Sequence, residues 1–275
     1  MKSTNRIVWV VFFMLTIPIS RSFAQADEMG NLFRDFEARD AAGTPRDIAE
    51  ADPALERLAQ ASTESIVEDL PLILHEASNS RLSVRRLAAM ALYQLTTRPD
   101  GQTLLSTETA TFAALLIDPD IPIRRVTGLA LDNLHLDANS PLVPVLKSYL
   151  AREDAVSTIG AGVAGLLMKA APNDAASTNA VVQFMRRKDQ TSANRDSLLI
   201  SIRVSKSRSL EIGKEVAAYA NDPDEQTSVH AIETLQAMGE SAILDNQQSL
   251  SRIAADTSRT PSVRTAAAKA LSTAP

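Results

Sequence analysis

One pattern of apolar and polar positions is written six times along the chain. Its clearest copies are residues 84–92, 123–131 and 263–271, which read VRRLAAMAL, IRRVTGLAL and VRTAAAKAL, and weaker copies occupy 159–167, 194–202 and 227–235. The copies close on Leu92, Leu131, Leu167, Ile202, Leu235 and Leu271, at spacings of 39, 36, 35, 33 and 36 residues. A period of this length is typical of stacked two-helix units, because one unit alone cannot bury its apolar face.

Within each copy the apolar residues recur at helical spacing. With Val84 as position one, positions five, nine and twelve form an i, i+4, i+7 stripe, which is Ala88, Leu92 and Leu95 in the first copy. The first helix of each pair is predicted in the amphipathic stretches 66–77, 110–117, 142–150, 180–186, 212–219 and 243–253. We therefore expect an all-α fold, a right-handed α-solenoid of about six stacked antiparallel helix pairs, with almost no strand.

The first 24 residues have the pattern of a secretory signal peptide. Lys2 and Arg6 precede an apolar run at 7–19, and small residues flank Phe23 at Ser22 and Ala24, where a signal peptidase reads the chain. We expect cleavage after Ala24 and a periplasmic or secreted protein. The apolar run is shorter than the roughly 20 residues of a membrane span, although retention as an anchor is the alternative. The chain has no cysteine, which excludes disulfides and a lipid-modified cysteine.

Residues 25–60 differ from the rest and are predicted to form an acidic flexible leader, with 54–60 as a short helix that caps the repeat domain at 61–275. Gly30, Gly43 and Pro45 interrupt this segment. Residues 25–70 hold 12 acids and 4 bases, a net charge of −8, and the remainder of the mature chain is neutral. Such a surface does not favour nucleic acid or anionic lipid as a partner, and no membrane association is expected after signal cleavage.

Three segments carry a family resemblance. The turn Asp118-Pro119-Asp120 followed by IRR at 123–125, the run SVRRLAA at 83–89 and the run AIETLQAMG at 231–239 resemble HEAT repeats. They are most similar to the short variety first associated with phycobilin lyases, and the resemblance covers roughly residues 62–275. It implies an α-solenoid, and it leaves a lyase-like or chromophore-binding role as one alternative function.

The resemblance also implies a polar ladder between turn acids and helix arginines. Asp118 or Asp120 would pair with Arg85 and Arg124. Two copies depart from this pattern at the arginine position, where Gly160 and Ser228 stand. We therefore expect an interrupted ladder.

In HEAT-like arrays, positions three, seven and ten of the second helix line the concave side. Here these positions carry apolar residues in the first four copies and mostly polar ones in the last two, and exposed patches with Met and Tyr often mark partner sites. The candidate partner-binding residues are Arg86, Met90, Tyr93, Arg125, Leu129, Met168, Ile200 and Arg203. Coverage of these residues by packing is the alternative. We predict a non-enzymatic exported scaffold that binds a protein or peptide on this ridge and uses no cofactor.

The glycines at 160, 162 and 165 match the G-x-G-x-x-G dinucleotide fingerprint. That motif requires a buried strand before the first glycine, and residues 151–158 do not form one. The segment also falls on the repeat register, so we interpret it as a glycine-loosened repeat helix. A flavin-dependent enzyme remains the second alternative.

The remaining candidate chemistry is sparse. His75, His135 and His230 lie in different repeats without the spacing of a metal site. The acids at 222, 224 and 225 lack the spacing of a calcium loop and suit turns and helix caps instead. The sequence contains no Gly-x-Ser-x-Gly or His-Glu-x-x-His string, and we predict neither catalytic nor metal-binding residues.

Overall fold

The computed structural model describes residues 29–152, 154–155 and 157–273, and the predicted signal peptide at 1–24 lies outside them. The described residues form helices and no strand. No helix among them is long and apolar enough to cross a membrane. The helices are α1 (29–41), α2 (Asp52–Gln60), α3 (Thr63–Glu76), α4 (Leu82–Thr96), α5 (Pro99–Leu105), α6 (Thr109–Leu116), α7 (Ile121–Asn133), α8 (Val143–Leu150), α9 (Ser157–Ala170), α10 (Ala175–Met185), α11 (Ser192–Ser205), α12 (Leu210–Tyr219), α13 (Glu225–Met238), α14 (Glu240–Asp245), α15 (Gln247–Ala255) and α16 (Pro261–Ser272), with a 3-10 helix at Ile48–Ala51.

The chain divides into two compact units, the first ending at Leu134 and the second beginning at His135. In the first unit α4 and α7 lie side by side, α2 and α3 pack against α4, and α6 packs against α7. In the second unit α9, α11, α13 and α16 form one row of neighbouring helices. There α8 packs on α9, α12 on α13 and α15 on α16, while α10 contacts α8, α9 and α12.

The predicted stripe forms the core of both units. Ala88, Leu92 and Leu95 are buried in α4, and the corresponding residues of α7, α9 and α13 are buried as well. Among the described residues of the stripe, Ser205 and Leu271 are the exceptions, since both are only half-buried. The structure thus confirms the prediction of an all-α repeat fold.

Aspartate side chains cap the starts of two of these helices. The Asp120 carboxylate accepts a hydrogen bond from the Ile123 backbone N–H at the start of α7, and Asp224 accepts one from Thr227 at the start of α13. The predicted helix at 243–253 is instead two helices, because Asn246 leaves the helical conformation and its side chain donates to the Ala242 carbonyl at 2.8 Å. A short helix that the pattern did not indicate, α5, follows α4.

Residues 29–60 differ from the predicted flexible leader. Met29, Phe33 and Phe36 are buried on one face of α1, at the same i, i+4, i+7 spacing as the repeat stripe. The Asp40 carboxylate accepts hydrogen bonds from the backbone N–H and the hydroxyl of Ser83, which joins α1 to the start of α4. The many charged residues of this segment favoured the prediction of a flexible leader over that of a helix. Helical packing in the first unit therefore begins before residue 61.

Candidate partner-binding surface

In the first unit, the ridge residues of α4 and α7 differ in solvent exposure and in ion pairing. Leu129 is 51% exposed and Arg125 is exposed, whereas Met90 and Tyr93 are half-buried. Arg86 makes a bidentate ion pair with Asp120, with Nε–Oδ2 and Nη2–Oδ1 distances of 3.0 and 2.7 Å. This pairing lowers the pKa of the Asp120 carboxyl. Arg86 therefore braces α4 against the start of α7, and Leu129 with Arg125 offers the more accessible surface.

In the second unit, one predicted contact residue is not available. Met168 is 0% exposed. A Cβ atom on Gly165 would lie only 2.8 Å from the Ser201 Cβ and 3.0 Å from the Ser201 carbonyl oxygen, so α9 and α11 approach each other closely here. Met168 lies three residues further along α9, and because it is buried, its assignment as a partner-binding residue is corrected.

The ridge of α11 is more apolar than the predicted set indicated. Ile200 is 38% exposed, and Val204, one turn further along the helix, is 71% exposed. Arg203 lies between them in sequence and is ion-paired with Glu233 of α13. Val204 occupies position eleven of the copy, outside the three positions used for prediction. Including position eleven among the ridge positions would have identified Val204 as a candidate contact residue.

The ridge positions of the last three copies line an open groove between α13 and α16, with a volume of about 810 Å³. Six of its lining residues stand at positions three, seven or ten: Arg203, Val229, Glu233, Gln236, Thr265 and Lys269. Ile232 and Ala266 also line it. Six residues at the repeat positions predicted to form the ridge thus line this groove. The groove, however, lies in the polar copies rather than in the apolar ones.

Polar contacts join α13 and α16 near both ends of this groove. At one end the Ser262 hydroxyl donates to the Glu225 carboxylate, and at the other the Gln236 amide donates to the Thr273 hydroxyl at 3.4 Å. The N-terminal ends of α13 and α16 therefore lie together, as do their C-terminal ends, so the two helices run parallel. The groove extends along their length.

The implied polar ladder is present in part. Arg85 pairs with Asp118 at 2.8 Å, and Arg124 donates from Nε to the Asp118 carbonyl oxygen. In the second unit Arg195 pairs with Asp222 at 3.0 Å, a contact that the sequence analysis missed. The repeat register could have predicted this ion pair, since Arg85 and Arg195 both occupy position two of a copy.

The glycine motif at 160–165 lies inside α9. A Cβ atom on Gly160 would meet the Phe184 ring at 2.3 Å, and one on Gly165 would meet Ser201, while one on Gly162 would meet nothing within 4 Å. Two of the three glycines are therefore explained by close helix packing. Their place within a helix is not that of a strand-to-helix turn that cradles a pyrophosphate.

Three of the other candidate polar residues, His230, Asp222 and Asp224, lie beside polar groups of the fold. His230 Nδ1 lies 3.4 Å from Asp196 Oδ1 across α13 and α11. Asp222 accepts from the Asp224 backbone N–H at 2.9 Å, and Asp224 caps α13. Within the described part of the chain, no group of three or more His, Asp or Glu side chains is placed to hold a metal ion.

Comparisons with known proteins give a fold likeness only. No family model matches the chain, and no curated protein matches it. Among solved structures it is similar to an engineered protein from the Northeast Structural Genomics Consortium, with a TM-score of 0.52 and 18% identity over 82% of this chain. The chain spans 63% of the length of that protein.

Two further structures are similar at lower TM-scores. A designed armadillo repeat protein has a TM-score of 0.38 and 13% identity over 83% of this chain and 95% of its own. Another engineered protein of the same consortium has a TM-score of 0.33 and 16% identity over 87% of this chain and 96% of its own. The helix pairs and their register define an all-α helical-repeat protein of HEAT-like architecture. The finer likeness to the phycobilin-lyase variety stays a prediction.

Proposed function

We propose that this chain is an exported, non-enzymatic scaffold that binds a peptide or an extended segment of a protein on the ridge of its second helices. The observation that carries the proposal is the groove between α13 and α16. Its lining coincides with the ridge positions that vary between copies. Positions that face the core repeat because stacking requires it, whereas variable positions around an open groove are free to specify a partner.

Exposed aliphatic side chains on α11 support a partner that buries apolar surface. Ile200 and Val204 stand on α11, the helix that also carries Arg203 of the groove. Covering an exposed aliphatic side chain of this size contributes roughly 1–2 kcal/mol to binding. Two such side chains next to an open groove are a suitable anchor for a peptide.

The ridge of the first unit provides a second candidate contact. Leu129 is exposed beside Arg125 on α7, and Tyr93 is half-buried on α4. Tyr combines an apolar ring with a polar tip and is enriched where proteins meet. We assign this surface a supporting role, because Met90 and Tyr93 on its ridge are half-buried.

Selection from a phage-displayed library of random dodecapeptides on the immobilised chain, residues 25–275, tests the proposal. Thr265→Trp places an indole in the groove, and we expect it to weaken binding of selected peptides at least tenfold. Ala268→Trp is the matched control, since Ala268 is exposed on the same helix but does not line the groove. The double variant Tyr93→Ala with Leu129→Ala measures how much the first unit contributes to the binding of selected peptides.

Equal binding by the Thr265→Trp and Ala268→Trp variants contradicts the assignment of the groove. Failure of the library to give any clone above background contradicts peptide binding altogether. Far-ultraviolet circular dichroism of each variant verifies that its helices are intact.

A further inference from the structure

The charges of the groove between α13 and α16 are not balanced. Arg203 and Glu233 neutralise each other through their ion pair. Lys269 is exposed on the opposite side of the groove, and no carboxylate among the described residues pairs with it. Glu225, which lies on α13 beside one end of the groove, accepts a hydrogen bond from Ser262. One positive charge thus stands without a partner inside a lined groove.

From this imbalance we propose that the groove takes an extended acidic peptide, which places an Asp or Glu carboxylate on Lys269. The inference rests on the proposed function and names the chemistry of its partner. A carboxylate at Lys269 completes an ion pair without displacing the bond between Arg203 and Glu233. A Lys or Arg at the same place meets a like charge, so the groove discriminates against basic peptides.

The length of the groove sets the length of the bound segment. Its ends are marked on α13 by Glu225 and Gln236, which are eleven residues apart. At 1.5 Å per residue this distance is about 16 Å. An extended chain spans about 3.3 Å per residue, so about five peptide residues fit along this length.

The floor of the groove defines the neighbouring positions of the peptide. Val229, Ile232 and Ala266 are apolar and line the groove together with Lys269. Side chains two residues apart in an extended chain point to the same side. An aliphatic residue two positions from the acid therefore reaches the apolar floor while the carboxylate reaches Lys269.

The library selection described above also tests this inference. We expect Asp and Glu to be enriched in peptides that wild-type chain selects, relative to the unselected library. Lys269→Glu is expected to weaken these peptides at least fivefold and to select Lys- and Arg-containing peptides instead. Lys214→Glu, an equal charge reversal at an exposed lysine of α12 outside the groove, is the control and is expected to change neither result.

The outcomes separate the inference from the function on which it rests. Peptides that Thr265→Trp blocks, but that lack acids or bind Lys269→Glu as well as wild type, overturn the acidic-peptide inference and leave the groove as a binding site. Peptides that Thr265→Trp does not block overturn the assignment of the groove itself.

Discussion

Arg85 on α4 donates a hydrogen bond of 2.8 Å from Nε to Oδ2 of Asp118, which lies in the turn before α7. The two side chains are only 17% and 8% exposed. The pair joins the second helix of one repeat to the entry of the next. Arg195 and Asp222 stand in the same register in the second unit, where an arginine at position two meets an acid five residues before the next copy.

Removal of this arginine is expected to destabilise the first unit. Arg85→Ala removes the cation that is hydrogen-bonded to the buried Asp118 carboxylate, and we expect the free energy of unfolding to fall by about 2–3 kcal/mol. Arg39→Ala is the control, because its ion pair with Asp35 is exposed and is worth roughly 0.5 kcal/mol. Urea unfolding followed by circular dichroism at 222 nm measures both variants. Equal losses contradict a structural role for the ladder.

The glycines of α9 give a second prediction, in which neighbouring positions respond with opposite signs. Gly162→Ala meets no atom within 4 Å and gains helix propensity, so we expect stabilisation of up to about 1 kcal/mol. Gly165→Ala gains the same propensity but meets Ser201, including its backbone oxygen, and we expect a net loss of about 1–3 kcal/mol. Thermal unfolding of the two variants checks this difference. Similar shifts at both positions contradict the close approach of α9 and α11.

Some features could be predicted from the sequence because they depend on spacing within one helix. The burial of Ala88, Leu92 and Leu95 follows from their i, i+4, i+7 register. The helix start at Asp224 follows from its capping side chain. The same rule applies to Met29, Phe33 and Phe36, but many charges around them favoured a flexible segment.

Other features depend on how closely neighbouring helices approach, which one helix cannot specify. Met168 stands at a ridge position but is buried, on a helix whose Gly165 lies close to Ser201, a residue 36 positions further on. The groove between α13 and α16 likewise requires knowledge of two helices from different repeats. The repeat positions that form the ridge were therefore predictable, whereas which of those residues are exposed or line a groove was not.

The N-terminal segment gives a prediction about processing. Expressed with its native start in a bacterial host, the protein is expected in the periplasmic extract with an intact mass that begins at Gln25, because Ser22 and Ala24 are the small residues that a signal peptidase requires. Ala24→Arg is expected to abolish this cleavage and retain the full-length mass, while Gln25→Ala serves as the control next to the site. A full-length mass for the wild-type protein supports a retained anchor instead.

Asp69 on α3 is the buried acid with the least compensation in the first unit. It is 1% exposed, and neither carboxylate oxygen has a hydrogen-bond partner. Burial raises the pKa of this carboxyl to about 6, with the nearby charge of Glu68 as a smaller cause. The ordinary pKa of an Asp is about 3.9, so the folded state holds the proton more tightly than the unfolded state.

The free energy of unfolding of the first unit is therefore expected to be highest below about pH 4 with respect to this group, and to fall as the pH rises through about 6. A shift of about two pKa units corresponds to at most about 3 kcal/mol at neutral pH. Asp69→Asn keeps the shape but removes the charge, so it should flatten this dependence and raise the stability at pH 7.5. Glu56→Gln, at an exposed acid of α2, should leave the dependence unchanged. Urea unfolding at pH 4.5, 6 and 7.5 measures these differences, and an unaltered pH dependence in Asp69→Asn contradicts a buried, protonated Asp69.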